Sequence, residues 1–402
     1  MSVSNLSILR RFRRDERGNV AMMFGLTLVP IIFAVGAAVD YSRGAAERER
    51  LVQALDATGL ALAHDAKRMS DADFNAKANR IFSAMYRSKE VAGAPAVVTS
   101  RANERLTVST TAQVPTAFMH LAGFSQMPIN ARASVAYGTK KLEIALVLDN
   151  TGSMGRDGKM DALKVAANNF VDQLAATTPS VGEIKVSVIP FATQVRTESS
   201  RAGEAWLQMF GMSSMTWDGC IMDRDQPWDV NANPGQLYPA TRCAYNTTRM
   251  MGLTDLSDVT QRNTLKTRIG AMNPAGNTNI TIGMSWGLAS LSPASPLPGA
   301  SGFGAGNVEK FVVLLTDGDN TQNRFTGNEW AINDRTRQAC DAVKDPAKKI
   351  TVFTIRVIAG NRDLLRNCAT TPGHYYESAN AAQIQPAFDA ILRTITKIHL
   401  SN

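Results

Sequence analysis

The chain has 402 residues, 44% of them hydrophobic and 19% charged, with 29 Gly and 16 Pro. That length exceeds one small domain, and the composition excludes a collagen-like, coiled-coil or mostly disordered chain. The net charge of +8 does not form a groove-binding stripe for nucleic acid, because residues 1–50 alone hold eight Arg against five acids and the later basic residues are scattered.

Arg10, Arg11, Arg13, Arg14 and Arg17 lead into twenty uncharged residues, 20–39. As a helix that run rises about 30 Å, the thickness of a hydrocarbon core. Gly36-Ala37-Ala38 could pass for a cleavage site after a secretory signal, but the run is longer than a usual signal core, so a retained anchor is expected. The positive-inside rule then places a basic tail, 1–18, in the cytoplasm, a single span at 19–39, and everything after Asp40 outside the cytoplasm.

Beyond the span, Leu51, Leu55 and Leu62 keep near-helical spacing, so the helix is expected to continue, and a second helix is expected from Asp71 with Phe74, Ala78, Ile81, Phe82 and Met85 on one face. After Gly93 to Pro95 the pattern alternates, in Leu106, Val108 and Thr110 and again in Ile129, Ala131, Ala133 and Val135, which predicts strands. Residues 40–138 thus read as a small α+β region.

From Lys140 the texture becomes continuous apolar runs, at 143–149, 183–192, 310–317 and 350–358, separated by helical patterns at 157–177, about 255–271, 278–291, 331–344 and 381–398. Such runs predict a mostly parallel, doubly wound α/β sheet covered on both faces over residues 139–402. Residues 196–253 break the alternation and hold Trp206, Trp217, Trp228 and two Cys, which reads as an irregular insertion. Cys220, Cys243, Cys340 and Cys368 form an even set, all beyond the span, without C-x-x-C spacing or a neighbouring His, so disulfides are favoured over zinc. Of three connectivities the simplest joins sequence neighbours, Cys220 to Cys243 and Cys340 to Cys368.

Ligands of an open α/β sheet bind beyond the carboxyl ends of its strands. There the first run ends in Asp149-Asn150-Thr151-Gly152-Ser153, a later one in Thr316-Asp317-Gly318, and the loop Gly276-Asn277-Thr278-Asn279 precedes a helix. Carboxylates and hydroxyls are hard oxygen ligands, suited to one Mg²⁺ or Mn²⁺ ion. A lone Asp followed by Thr and Ser would be a helix cap; Thr278 and Asp317 argue for more.

With D-x-T-x-S at Asp149, Thr151 and Ser153, then Thr278 and Asp317, residues 139–402 resemble a von Willebrand factor type A domain with a metal-ion-dependent adhesion site. The resemblance implies hydroxyls touching the metal, carboxylates acting largely through water, and an open position for a partner's carboxylate. The whole chain, from RGNVAMMFGLTLVPIIFAVGAAVDYSR at 17–43 to GNTNITIGMSWGLASLSP at 276–293, resembles the TadG-like proteins of bacterial Flp (tight-adherence) pilus assembly. Its start is similar to Tad-type pseudopilin anchors, making 40–138 pseudopilin-like, but Gly18 is followed by Asn19 to Met23 without the Glu that prepilin processing expects. The resemblance implies an inner-membrane protein, mostly periplasmic, that acts in pilus assembly or adhesion through protein partners of the pilus or envelope and not through nucleic acid.

Two other functions compete. A metal-dependent hydrolase would use the same ion to activate water, but position 151, where an aspartyl-nucleophile phosphatase wants a second Asp, is Thr, and His64, His120, His374 and His399 are scattered. A passive envelope scaffold would need no metal. The expectation is a non-enzymatic protein.

Overall fold

The computed structural model describes residues 17–63, 65–66, 69–102, 105–136, 140–177, 180–233, 235–294 and 296–400. The arginines at 10 to 14, and most of the expected basic tail, lie outside them. The chain divides into two compact units, Met1–Gly138 and Thr139–Asn402.

The smaller unit begins with α1, Arg17–Ala63, one helix of 47 residues. Over residues 22–35 it has no packed face: Phe24, Leu26, Val29 and Ile31 are all well exposed. This is a helix long and apolar enough to cross a membrane. Its second half turns one stripe inward, where Leu51, Leu55 and Leu62 meet Phe74, Ala78 and Phe82 of α2, Asp71–Met85. Both helices pack on an antiparallel sheet of β1, Val97–Ala102, β2, Arg105–Pro115, and β3, Gln126–Ala136, in that order. The alternation of apolar and polar residues sends Leu106, Val108, Ile129, Ala131 and Ala133 into this core. Asp40, just past the apolar run, is buried and accepts hydrogen bonds from the backbone N–H groups of Ala117, Phe118 and Met119 at 3.0, 2.8 and 2.8 Å. Three donors on one carboxylate repay its burial and fix this loop on the helix.

The larger unit is a six-stranded sheet with helices on both faces. Its strands are β4, Lys141–Asp149, β5, Ile184–Phe191, β6, Met251–Asp255, β7, Val308–Thr316, β8, Ile350–Val357, and β9, Tyr375–Ser378. Their spatial order is β6-β5-β4-β7-β8-β9, all parallel except the edge strand β6. Alternate residues of each run serve opposite faces, which is why the runs are mainly apolar, with Glu143, Ser187, Lys310 and Thr354 as buried polar exceptions. Leu142, Ile144, Leu146 and Leu148 point to α3, Lys159–Ala176, α4, Val259–Gly270, and α8, Ile384–Leu400. Ala145 and Val147 point to α5, Ile280–Ser290, α6, Glu329–Val343, and α7, Arg362–Cys368. All of α5 is buried. It approaches the sheet at Gly283, where a Cβ would lie 2.8 Å from the Phe191 ring.

Three elements differ from the expectation. The last residues of the supposed insertion, with Thr254 and Asp255, form β6, whose ladder to β5 is irregular. The segments forming α7 and β9 lie outside the elements predicted from sequence, being short and only partly apolar. The remaining insertion is held by the Cys220–Cys243 disulfide and by Trp206 against Tyr238 and Trp286, with ring centroids 5.7 and 6.0 Å apart. An alternating chain of ions, Arg196 to Asp218 to Arg249 to Glu198 to Arg268, ties it to α4. The Cys340–Cys368 disulfide joins α6 to α7.

Candidate functional site

The carboxyl end of the central pair β4 and β7 gathers the loops singled out by their oxygen donors. Asp149 ends β4 and is buried; its Oδ1 accepts from the Thr151 backbone N–H at 2.8 Å and its Oδ2 from Thr316 Oγ1 at 2.5 Å. The chain then makes a short 3₁₀ turn, Gly152–Gly155, and enters α3 through Gly158 in the left-handed conformation. This turn brings Thr151 Oγ1 within 3.0 Å of Ser153 Oγ, which in turn donates to Asp317 Oδ1 at 2.6 Å.

The third loop joins through its backbone. The Gly152 N–H donates to the Gly276 carbonyl at 3.0 Å, Asn150 Nδ2 to the Asn273 carbonyl at 2.8 Å, and the Ala275 N–H to the Asn150 carbonyl at 2.8 Å. Gly276 has φ of +84°, and a Cβ there would strike the Tyr245 ring. Thr278 follows, and its hydroxyl borders Gly318: a Cβ on Gly318 would lie 3.2 Å from Thr278 Oγ1 and 3.5 Å from Ser153 Oγ. The fold therefore brings Asp149, Thr151, Ser153, Thr278 and Asp317 to one sheet edge.

Two carboxylates buried side by side raise the cost of ionisation. Asp149 is pushed up to about 6, first by burial and then by the neighbouring Asp317, against the hydrogen bonds from Thr151 and Thr316. Among the described residues no three His, Cys, Asp or Glu side chains cluster to hold a metal. The donor set here is instead two carboxylates with three neutral hydroxyls, which suits a hard cation such as Mg²⁺ or Mn²⁺. Asn150 Oδ1, in the same loop, is buried with no hydrogen-bond partner.

Sequence reasoning missed the groups that support these five. Thr316 holds Asp149; Asn320 accepts from the Ile280 N–H at 2.8 Å and donates to Asn333 and Thr336, seating the start of α5. The largest omission is Lys159, buried in the first turn of α3, whose Nζ bonds Asp317 Oδ2. A signal was present, since a basic residue opening a helix opposes the helix dipole and needs a tertiary reason. Trp286 is core and Trp330 is exposed; neither belongs to the site.

Residues 18–64 match the family model "Putative Flp pilus-assembly TadE/G-like", and residues 244–390 match the model "von Willebrand factor type A domain". The second match includes Thr278 and Asp317 but begins after Asp149, Thr151 and Ser153. No curated protein sequence matches the chain. Among solved structures, the pilus adhesin SpaC from Lactobacillus rhamnosus GG is 14% identical, with 75% of this chain and 34% of that one covered and a TM-score of 0.41. This chain thus spans about a third of the length of SpaC. The vWF domain of the type V pili tip protein Mfa5 from Porphyromonas gingivalis is 12% identical, covering 66% of this chain and 98% of that one, with a TM-score of 0.41. Proximal thread matrix protein 1 from the mussel byssus, with a zinc-occupied MIDAS motif, is 15% identical, covering 64% and 46%, with a TM-score of 0.36.

Proposed function

We propose that this chain, which joins a TadE/G-like N-terminal segment to a von Willebrand factor type A domain, is a membrane-anchored factor of Flp pilus assembly or adhesion. Residues 20–39 of α1 cross the bacterial inner membrane once, with the arginines before them in the cytoplasm and residues after Asp40 on the periplasmic side. Two disulfides in the larger unit support an oxidising compartment.

The larger unit works as a metal-ion-dependent adhesion site. Asp149, Thr151, Ser153, Thr278 and Asp317 would hold one Mg²⁺ or Mn²⁺ ion. A divalent ion bound there supplies an electrophilic position for a carboxylate oxygen of a pilus or envelope protein. The chain's own part is to keep the hydroxyls neutral and aligned: Asp317 orients Ser153, Thr316 and the Thr151 N–H fix Asp149, and the Gly152–Gly276 contact sets the loop carrying Thr278.

The observation that carries this reading is the continuous Thr151–Ser153–Asp317 line of oxygen donors at the carboxyl edge of a type A domain. The role proposed is binding, in keeping with the TadE/G-like and type A family matches.

Calorimetric titration of Mg²⁺ and Mn²⁺ into the detergent-solubilised chain tests it. Wild type should take up one ion per chain, and Asp149→Ala and Ser153→Ala should take up none. Capture of envelope proteins should be lost with chelator. Capture that survives both chelator and Asp149→Ala would leave the domain a passive scaffold.

A further inference from the structure

We infer that Lys159 is a resident counter-cation of the adhesion site, set against the divalent ion so as to keep metal binding weak and the metal-free site assembled. This rests on the reading of Asp149, Thr151, Ser153, Thr278 and Asp317 as the metal site and concerns how that site is regulated.

Lys159 is 5% exposed, and its ammonium bonds the one oxygen of Asp317 that Ser153 leaves free. The second buried lysine of this unit shows what a purely structural one looks like. Lys310 lies in the same strand as the approach to Asp317, at its amino end, and its ammonium has three acceptors: Glu143, the Leu291 carbonyl at 2.9 Å and the Ser301 carbonyl at 2.8 Å. Each of its three protons is used. For Lys159, Asp317 is the one side-chain acceptor among the described residues. The side chain also opens α3, where the helix dipole disfavours a cation. A buried ammonium at the wrong end of a helix, with one carboxylate as its protein acceptor, is kept there by the charge of the site.

That charge explains the placement. Asp149 and Asp317 are a like-charge pair in a desolvated setting, and one ammonium offsets half of it. A divalent ion held by the five donors would relieve the pair more completely, but would bring two positive charges next to a third. In a medium that screens poorly, like charges this close reduce affinity by about tenfold or more. The same repulsion favours recruiting a further negative group, which is what an external carboxylate provides.

The test uses the full chain in detergent, with Mn²⁺ titrated into wild type, Lys159→Met and Lys159→Arg, and Asp149→Ala as the non-binding reference. Lys159→Met is expected to bind Mn²⁺ about tenfold tighter or more, and Lys159→Arg to bind as wild type does. In chelator Lys159→Met should melt below wild type, and saturating Mn²⁺ should close the difference. Lys159→Gln, which keeps an N–H for Asp317 without the charge, carries the same expectation should Lys159→Met fail to fold. Equal or weaker binding by both neutral variants, with wild type binding normally, overturns the role of Lys159 and leaves the metal site standing. If neither wild type nor the neutral variants bind at millimolar metal, the metal site itself falls, and this role falls with it.

Discussion

Thr316 Oγ1 donates a 2.5 Å hydrogen bond to Asp149 Oδ2, joining the last residue of β7 to the last residue of β4 across the centre of the sheet. Both side chains are fully buried. Removing this donor with Thr316→Val keeps the shape and leaves a buried carboxylate one bond short. The expected loss is about 1–3 kcal/mol of stability. All five tryptophans lie in the larger unit, so denaturant unfolding followed by tryptophan fluorescence reads it directly. An unchanged midpoint would mean that Thr316 does not support Asp149.

Asp317 and Lys159 form a buried pair in which each partner covers the other's charge. Asp317→Ala leaves the ammonium buried and alone, at a cost of about 3–5 kcal/mol. In the double variant with Lys159→Met most of that loss should return. A double variant no more stable than Asp317→Ala would show that the cost arises elsewhere, for example from the lost Ser153 bond.

Asp223 gives a pH signature beside the candidate site, on Asn279, the residue after Thr278. It is buried, accepting two hydrogen bonds from Asn279 Nδ2 and one from the Arg324 N–H, yet burial pushes it up to about 6 from an ordinary 3.8. Between those values the folded chain keeps a proton that the unfolded chain has released, so this group's contribution to stability falls as pH rises from about 4 to 6. Asp223→Asn lacks that titration. Its stability relative to wild type should therefore climb across that window by an amount on the order of 3 kcal/mol. Parallel profiles for the two proteins would contradict it.

Gly283 sits where α5 meets the sheet, and a methyl there would lie 2.8 Å from the Phe191 ring and 3.1 Å from Val147 Cγ1. Gly283→Ala gains helix propensity but overpacks against Phe191 and Val147, and the second effect should win by about 1–3 kcal/mol. Thermal melting decides the sign.

The Cys340–Cys368 bridge closes a separation of 28 residues between α6 and α7. Replacing both with Ala should cost about 2–4 kcal/mol, and the variant should lose the part of the reductant sensitivity that wild type owes to this bridge. An unchanged unfolding midpoint would assign α7 its stability from packing alone.

The sequence by itself determined the central strands and the long helix. β4, β5, β7 and β8 are buried on both faces, so their runs are mainly apolar, and α1 carries an uncharged stretch matched to a bilayer. It also marked Asp149, Thr151, Ser153, Thr278 and Asp317, because each stands just past a run or just before a helix. The alternation also foretold the half-buried strands β2 and β3, whereas the two short edge strands of the larger sheet were beyond its reach. The segment MGLTD of β6 and the segment YYES of β9 become strands only because an existing sheet edge offers unpaired backbone groups.

Tertiary structure alone decided the partnerships at the site. Ser153 and Asp317 are 164 residues apart in sequence, Lys159 and Asp317 158, and Asp149 and Thr316 167. No local pattern encodes such contacts. They follow from the parallel register that sets β7 beside β4, which brings both strand tips, and the charges they carry, into one desolvated space.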